Sequence, residues 1–371
     1  MILAFHAVQA KHERRTGSAM RSETASAADT ILEIDDLRVS FGTYGGTVRA
    51  VRGISLSIRS GECLAVVGES GCGKSVTAQT VMRLIPSPPA LVEGRISFLG
   101  EELLSLPERK MKAVRGSKLA MVFQDPMTSL DPTMPIGKQI VEGLRTHQRI
   151  DKREAEARAT DTLKLVGMPE PERQLKRYPY ELSGGMRQRA MIAMAMVCRP
   201  RLLIADEPTT ALDVTTQAQI LDLIRNLKQE MGSAVMLITH DMGVVANMAD
   251  RIAVFYAGQV VEEAPVREIF YSPAHPYTVA LLHSRPRLDK GRGGELVSIA
   301  GAPPDLFAPP SGCGFAPRCG CALKVCSRMP PPSIDLGGGH RTLCWLHHEA
   351  SRSRYGEYTR ERLEKEVRIG S

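Results

Sequence analysis

Gly68-Glu69-Ser70-Gly71-Cys72-Gly73-Lys74-Ser75 has the glycine spacing of a phosphate-binding loop, and Lys74-Ser75 closes it. Glycines at these positions let backbone N–H groups turn inward onto phosphate oxygens, and a helix opening at Ser75-Val76 adds a favourable field. Lys74 is expected to reach the β- and γ-phosphates, and the Ser75 hydroxyl to ligate Mg²⁺. Far downstream, the apolar run Arg201–Ala205 delivers Asp206-Glu207 to a strand end. Asp206 is then expected to hold Mg²⁺ through water, and Glu207 to orient or deprotonate the attacking water. Such a pair is an ordinary strand-end charge cluster on its own; the phosphate loop upstream gives it the hydrolytic reading.

These residues need a sheet to position them. Leu64-Ala65-Val66-Val67 reads as a buried strand ahead of the loop, and Ser75–Leu84 as the helix behind it. Before them, Ile31 to Ile58 alternates around a Gly45-Gly46 turn, which predicts a small antiparallel sheet. Pro86-Ser87-Pro88-Pro89 breaks the chain, and Val92–Leu99 and Leu119–Phe123 return to strand. Residues 125–185 change character: Asp125-Pro126 and Asp131-Pro132 interrupt, then Ile136–Arg145 and Ala155–Val166 carry helical spacing. They read as a helical subdomain inserted in an α/β domain over 30–265. A Met- and Ala-rich helix (Met186–Val197), the helix Val214–Met231 and strands at Ala234–Thr239, Ile252–Tyr256 and Gln259–Glu262 complete it.

Residues 1–29 lack periodicity and read as a disordered extension. After Glu263 the composition shifts to Pro, Gly, His and Cys, which sets 266–349 apart as a separate appendage, and 350–371 is a charged tail. With 371 residues, 43% hydrophobic, the chain can bury a sizeable core. Its formal charge of +7 suits a solvated surface, a nucleic-acid face or a surface near anionic lipid. The apolar run Ala190–Cys198 is far short of the roughly 18–20 residues that span a bilayer. Nor does a secretory h-region follow Met1–Phe5, which points to the cytosol, where disulfides are rare.

Leu182-Ser183-Gly184-Gly185-Met186-Arg187-Gln188 names the family. With the phosphate loop and Asp206-Glu207 it resembles the signature of ATP-binding cassette (ABC) ATPases, P-loop NTPases of RecA-like fold. The resemblance runs over about 31–265 with each motif in order. It implies that Ser183, Gly184 and Gly185 bind the γ-phosphate of ATP held by a partner cassette, so that two head-to-tail cassettes close on two ATPs. By the same resemblance Gln124 is the glutamine that touches Mg²⁺ or the attacking water, and Ala211-Leu212-Asp213 is the segment facing the partner. His240 is the γ-phosphate histidine, and Phe41, or Tyr44 in the same turn, stacks on adenine.

Narrower strings point further. Phe123-Gln124-Asp125-Pro126-Met127-Thr128-Ser129-Leu130-Asp131-Pro132, Tyr256–Glu262, Pro273-Ala274-His275-Pro276-Tyr277-Thr278 and Gly312–Cys319 are similar to the D-type ATPase subunits of oligopeptide and dipeptide permeases. That resemblance implies an F-type ATPase partner, two membrane permeases, an extracytoplasmic binding protein and a place on the cytoplasmic face of the inner membrane. Docking is expected through the helical subdomain and 124–135. The same family includes nickel and metallophore importers. It also implies that Cys313, Cys319, Cys326 and Cys344 ligate a [4Fe–4S] cluster. Cys321 is an extra thiol among them, and a tetrathiolate zinc site or reduced, metal-free cysteines are the other readings.

An ABC ATPase acting on nucleic acid is the competing class. Its repair and condensation types insert long coiled coils where this chain has a compact helical segment, and its translation types carry two cassettes per chain. No nucleic-acid partner is expected. An exporter ATPase is a nearer rival, disfavoured by the tail.

Overall fold

The computed structural model describes residues 29–210, 212–284 and 299–356, with 358, 361–363 and 365 beyond them. The amino-terminal extension to residue 28, and Ala211, lie outside the described residues.

Two sheets carry the fold. Strands β1 (Thr30–Thr43) and β2 (Gly46–Arg59) form an antiparallel hairpin, and β4 (Ala90–Phe98) and β5 (Glu101–Glu102) extend it in the order β2-β1-β4-β5. Alternation in β1 puts Leu32, Ile34, Leu37 and Val39 inside. The second sheet has β3 (Cys63–Val67), β6 (Leu119–Val122), β7 (Leu202–Asp206) and β8 (Ala234–Ile238) in parallel, joined by β9 (Arg251–Tyr256) and the antiparallel β10 (Gln259–Pro265). Strands β3, β6, β7 and β8 are buried along their whole length, so their sequences are continuously apolar up to Asp206.

One apolar cluster fills the space between this sheet and the antiparallel one, from Leu32 and Phe98 to Val66 and Ile204. Another lies between the parallel strands and the helices, joining Val122 and Leu203 to Ile140, Leu163 and Ile192. The helices Ile136–His147 and Lys152–Leu165 pack on each other and on Gly184–Met196 through it.

The compositional break after Glu263 is not a structural one. Strand β12 (His340–Thr342) pairs with β10, and β11 (Ile334–Gly337) pairs with β12, so the carboxy-terminal segment adds two strands to the main sheet. Arg341 ion-pairs with Glu263, which also meets Arg251, itself 2.7 Å from Glu62. Tyr277 and Phe315 are buried with Val67, Val254 and Tyr256 in a third cluster. A Pro-, Gly- and Cys-rich segment has little core of its own, and the sheet supplies the apolar face it lacks.

Candidate nucleotide site

The loop Gly68–Ser75 joins the end of β3 to the helix Lys74–Val81, as the sequence predicts. Two glycines are sterically required. A Cβ at Gly68 would stand 2.2 Å from the Phe255 carbonyl oxygen, and one at Gly73 2.6 Å from that of Ala50, with φ positive at both. Lys74 is buried, and its Nζ donates to the carbonyls of Gly68 (2.8 Å) and Glu69 (2.9 Å). Both carbonyls satisfy the buried ammonium in the absence of an anion.

Beside it, the Ser75 hydroxyl donates to Asp206 Oδ1 at 3.0 Å. Burial pushes the Asp206 carboxyl up, partly offset by that hydrogen bond, while the Glu207 charge adds to the push. A hydroxyl and a buried carboxylate in contact are the hard oxygen donors that Mg²⁺ takes, and their chemistry fits that ion.

Glu207 adopts φ 45, a left-handed conformation rare outside glycine. Its N–H bonds the Ile238 carbonyl at 2.9 Å, fastening it to the end of β8. Its Oε2 accepts from Gln124 Nε2 (3.2 Å) and Thr210 Oγ1 (2.9 Å), and its Oε1 lies 3.7 Å from His240 Nδ1. Three sequence-predicted residues, Gln124, Glu207 and His240, therefore meet at the ends of three strands. Thr210 was not singled out from sequence; a hydroxyl three residues past a strand-end acid is too common a signal.

The signature segment is placed otherwise. Ser183 caps the helix Gly184–Met196, its Oγ accepting from Met186 N–H at 3.3 Å. Gly185 faces Thr216, and Asp213 caps the following helix by accepting from the N–H groups of Thr215 and Thr216. Among the described residues, no hydrogen bond or ion pair joins Ser183, Gly184 or Gly185 to Gly68–Ser75. Within the described residues the signature segment and the phosphate loop are thus separate.

The two aromatic candidates differ. Phe41 is half-buried and packs against the core of the antiparallel sheet, whereas Tyr44 is fully exposed at the hairpin tip. Tyr44 is the more exposed of the two rings.

The tail thiols converge only in part. Cys313, Cys319, Cys321, Cys326 and Cys344 line one narrow cavity of about 10 Å³ with His275, Phe315 and Leu346. Among the described residues, however, no group of three or more His, Cys, Asp or Glu side chains is placed to hold a metal ion. The expected four-cysteine ligand set is thus gathered but not focused. Its apolar wall closes the space to about that of one water. Burial pushes the Cys313, Cys326 and Cys344 thiols up.

The comparisons with known proteins agree with this geometry. Residues 51–210 match the ABC transporter family model, and 261–326 match that of the oligopeptide/dipeptide transporter C-terminal region. The oligopeptide transport ATP-binding protein OppD of Bacillus subtilis is 53% identical over 86% of this chain and 89% of its own. The dipeptide transport ATP-binding protein DppD of the same organism is 51% identical over 86% of this chain and 96% of its own. The chain belongs to the ATP-binding proteins of the oligopeptide/dipeptide ABC family. Like other members it is an ATPase that uses ATP with Mg²⁺. A solved dimeric ATP-binding cassette, described as a post-hydrolysis state bound to ADP and Pi, superposes with a TM-score of 0.58 at 28% identity. It covers 64% of this family member and 99% of its own chain, so the cassette is matched and the tail lies beyond it. No helix of the described residues is long and apolar enough to cross a membrane.

Proposed function

We propose that the chain is the D-type ATPase that powers uptake of di- and oligopeptides through an ABC importer. It is held peripherally on the cytoplasmic face of the inner membrane by two permease subunits, with an F-type ATPase as partner and an extracytoplasmic binding protein delivering substrate. The observation that carries the ATPase part is the convergence of Gln124, Glu207 and His240 beside the Ser75–Asp206 pair. The peptide part rests on the relatives' identity over most of both chains.

In the mechanism, Lys74 and the loop amides bind the phosphates, and Ser75, Asp206 and Gln124 would hold Mg²⁺, which supplies charge neutralisation between the β- and γ-phosphates. Glu207 accepts the proton of the attacking water, and Thr210 and Gln124 hold its carboxylate in place. His240 faces the γ-phosphate. The helix amino terminus at Ser183–Gly185 completes the partner's site, which accounts for its standing apart from the loop of its own chain. Phe41 or Tyr44 stacks on adenine, and the placement favours Tyr44.

Docking on the permeases is assigned to the helical subdomain. A groove of about 1480 Å³ there is lined by Lys138, Val141, Glu142 and Arg145, and Met127 beside the Gln124 segment is exposed. Reversing the charges at Lys138 and Arg145 is expected to abolish assembly; unaltered assembly and coupling would remove this surface from consideration.

Cys313, Cys319, Cys326 and Cys344 are proposed as a [4Fe–4S] ligand set on their donor chemistry alone, with Cys321 an extra thiol beside them. As placed, the thiols do not form a metal site, and no step of hydrolysis passes through them. Anaerobic purification should yield brown protein with acid-labile sulfide; stoichiometric zinc without iron would reject the cluster.

For the substrate, mass spectrometry of the ligand carried by the cognate binding protein is the deciding measurement. Peptides support the reading, and a nickel chelate overturns it in favour of the metallophore branch.

A further inference from the structure

Glu69, the second residue of the phosphate loop, is held by the carboxy-terminal segment at two points. Its carboxylate accepts a two-pronged contact from Arg318, with Nη1 at 2.7 Å from Oε2 and Nη2 at 2.9 Å from Oε1. Its backbone N–H donates to the Tyr277 hydroxyl at 2.9 Å. Its third polar group faces inward: the Glu69 carbonyl accepts from Lys74 Nζ at 2.9 Å. One residue therefore connects the tail to the lysine that meets the phosphates.

The anchor is rigid. The Arg318 side chain is 5% exposed. Nε donates to the Ala300 carbonyl at 2.9 Å, Nη1 also to the Tyr256 hydroxyl at 3.1 Å, and Nη2 also to the Ile299 carbonyl at 3.1 Å. With the two bonds to Glu69, all the N–H donors of a guanidinium are used, in the one plane its fork permits. The guanidinium also lies 5.8 Å from the centre of the Tyr256 ring and 5.9 Å from that of Phe315. A lysine cannot reproduce this set. Tyr277 is likewise fixed, buried with its ring 4.5 Å from that of Tyr256. Both anchors stand on the second matched region, outside the cassette region matched at 51–210.

We infer that the carboxy-terminal segment is a positioning element for the nucleotide site: Arg318 and Tyr277 hold Glu69, and through its carbonyl the rest orientation of Lys74, so that the loop meets ATP already shaped. This gives Glu69 a role that the phosphate-loop spacing leaves blank. Arg318 lies between Cys313 and Cys319, so whatever orders that cysteine loop also orders the anchor. Pre-shaping the loop stabilises bound ATP in ground and transition states alike, so its loss should appear in affinity and KM rather than in kcat.

The inference rests on ATP binding at Gly68–Ser75, and wild-type protein controls for that. If the wild-type chain bound no ATP, the nucleotide-site reading would fall; the positioning role is decided by variants against a binding wild type. The full-length chain is titrated with a fluorescent ATP analogue, and its ATPase kinetics are followed. Arg318→Ala should weaken binding about tenfold and raise KM by a similar factor, as expected for losing a charge-assisted bidentate contact. kcat at saturating ATP should stay within about twofold. Glu69→Ala should do the same, and the double variant should be no worse than either single one. Tyr277→Phe should show the same KM shift on a smaller scale. If Arg318→Ala does not fold, Glu69→Gln keeps the shape of the contact without its charge, and a several-fold loss of affinity is expected. Unchanged ATP affinity in a folded variant, additive losses in the double variant, or a fall in kcat with KM unchanged would each overturn the positioning role.

Discussion

The side-chain amide of Gln188 donates to the Pro208 carbonyl at 2.6 Å. Gln188 closes the signature segment, and Pro208 follows Glu207. The signature helix is thus fastened to the strand end that carries Glu207. Arg187 of the same helix also contacts Met127, beside the Gln124 segment.

Replacing Gln188 with Ala leaves the Pro208 carbonyl without its partner, at a cost of about 1–3 kcal/mol. Denaturant unfolding should register that loss. ATP hydrolysis should also lose cooperativity in ATP concentration. Retained cooperativity alongside lowered stability would limit this contact to a structural role.

Glu207→Gln preserves the size of the side chain and its contacts to Thr210 and Gln124 but removes the proton acceptor. Binding of ATP should persist while turnover falls about 10²–10⁴-fold. Equilibrium nucleotide binding and single-turnover hydrolysis separate the two effects. Hydrolysis at the wild-type rate would show that another group takes the proton.

Asp206 is an acid whose pKa in the folded chain is raised, chiefly by burial. The folded state therefore holds its proton to higher pH than the unfolded state does, and stability falls as pH rises through that interval. Above the folded pKa the full penalty is present. Asp206→Asn removes it and can still accept from Ser75. The nucleotide-free protein should melt higher at neutral pH, and the gain should shrink on acidification toward the ordinary carboxylate range. Mg²⁺-dependent hydrolysis should be lost at the same time. A melting temperature at neutral pH equal to wild type would show that the buried charge costs nothing.

The exposed Tyr44 and the half-buried Phe41 predict opposite phenotypes. Tyr44→Ala should raise KM for ATP about fivefold, the worth of one aromatic stacking contact, with little change in melting temperature. Phe41→Ala should cost about 2 kcal/mol of stability through the lost core contact. If instead Phe41→Ala alone altered affinity for adenine over guanine nucleotides, the stacking ring would be Phe41.

Much of the site was legible because its chemistry is local. The loop spacing, the apolar strand ending in Asp206-Glu207 and the signature string Leu182–Gln188 each sit within a few residues, where backbone geometry leaves few options. Gln124 and His240 were placed by order along the chain, and strands β6 and β8 bring them to Glu207. The partners of Glu69 were not legible. Arg318 is separated from it by 249 positions, and nothing in either local string indicates a contact. The tail was set apart on composition, yet β12 completes its hydrogen bonds on β10, a pairing that has no signature in a segment rich in Pro and Gly. The family resemblance implied a focused four-thiolate site, whereas the fold brings five thiols to one cavity without aiming them at a point among the described residues.

The sequence by itself determined that this chain is an ATP-binding cassette, with a phosphate loop at Gly68–Ser75, an acidic strand end at Asp206-Glu207 and the family's signature string at Leu182–Gln188. Short motifs encode those properties because phosphate binding uses backbone amides at fixed spacing, which the local sequence alone can shape. Only the tertiary structure decided which of Phe41 and Tyr44 is the more exposed ring, and that the carboxy-terminal segment grips the phosphate loop through Arg318 and Tyr277. Those outcomes depend on which surfaces the burial of apolar residues brings together, and burial is a property of the folded whole.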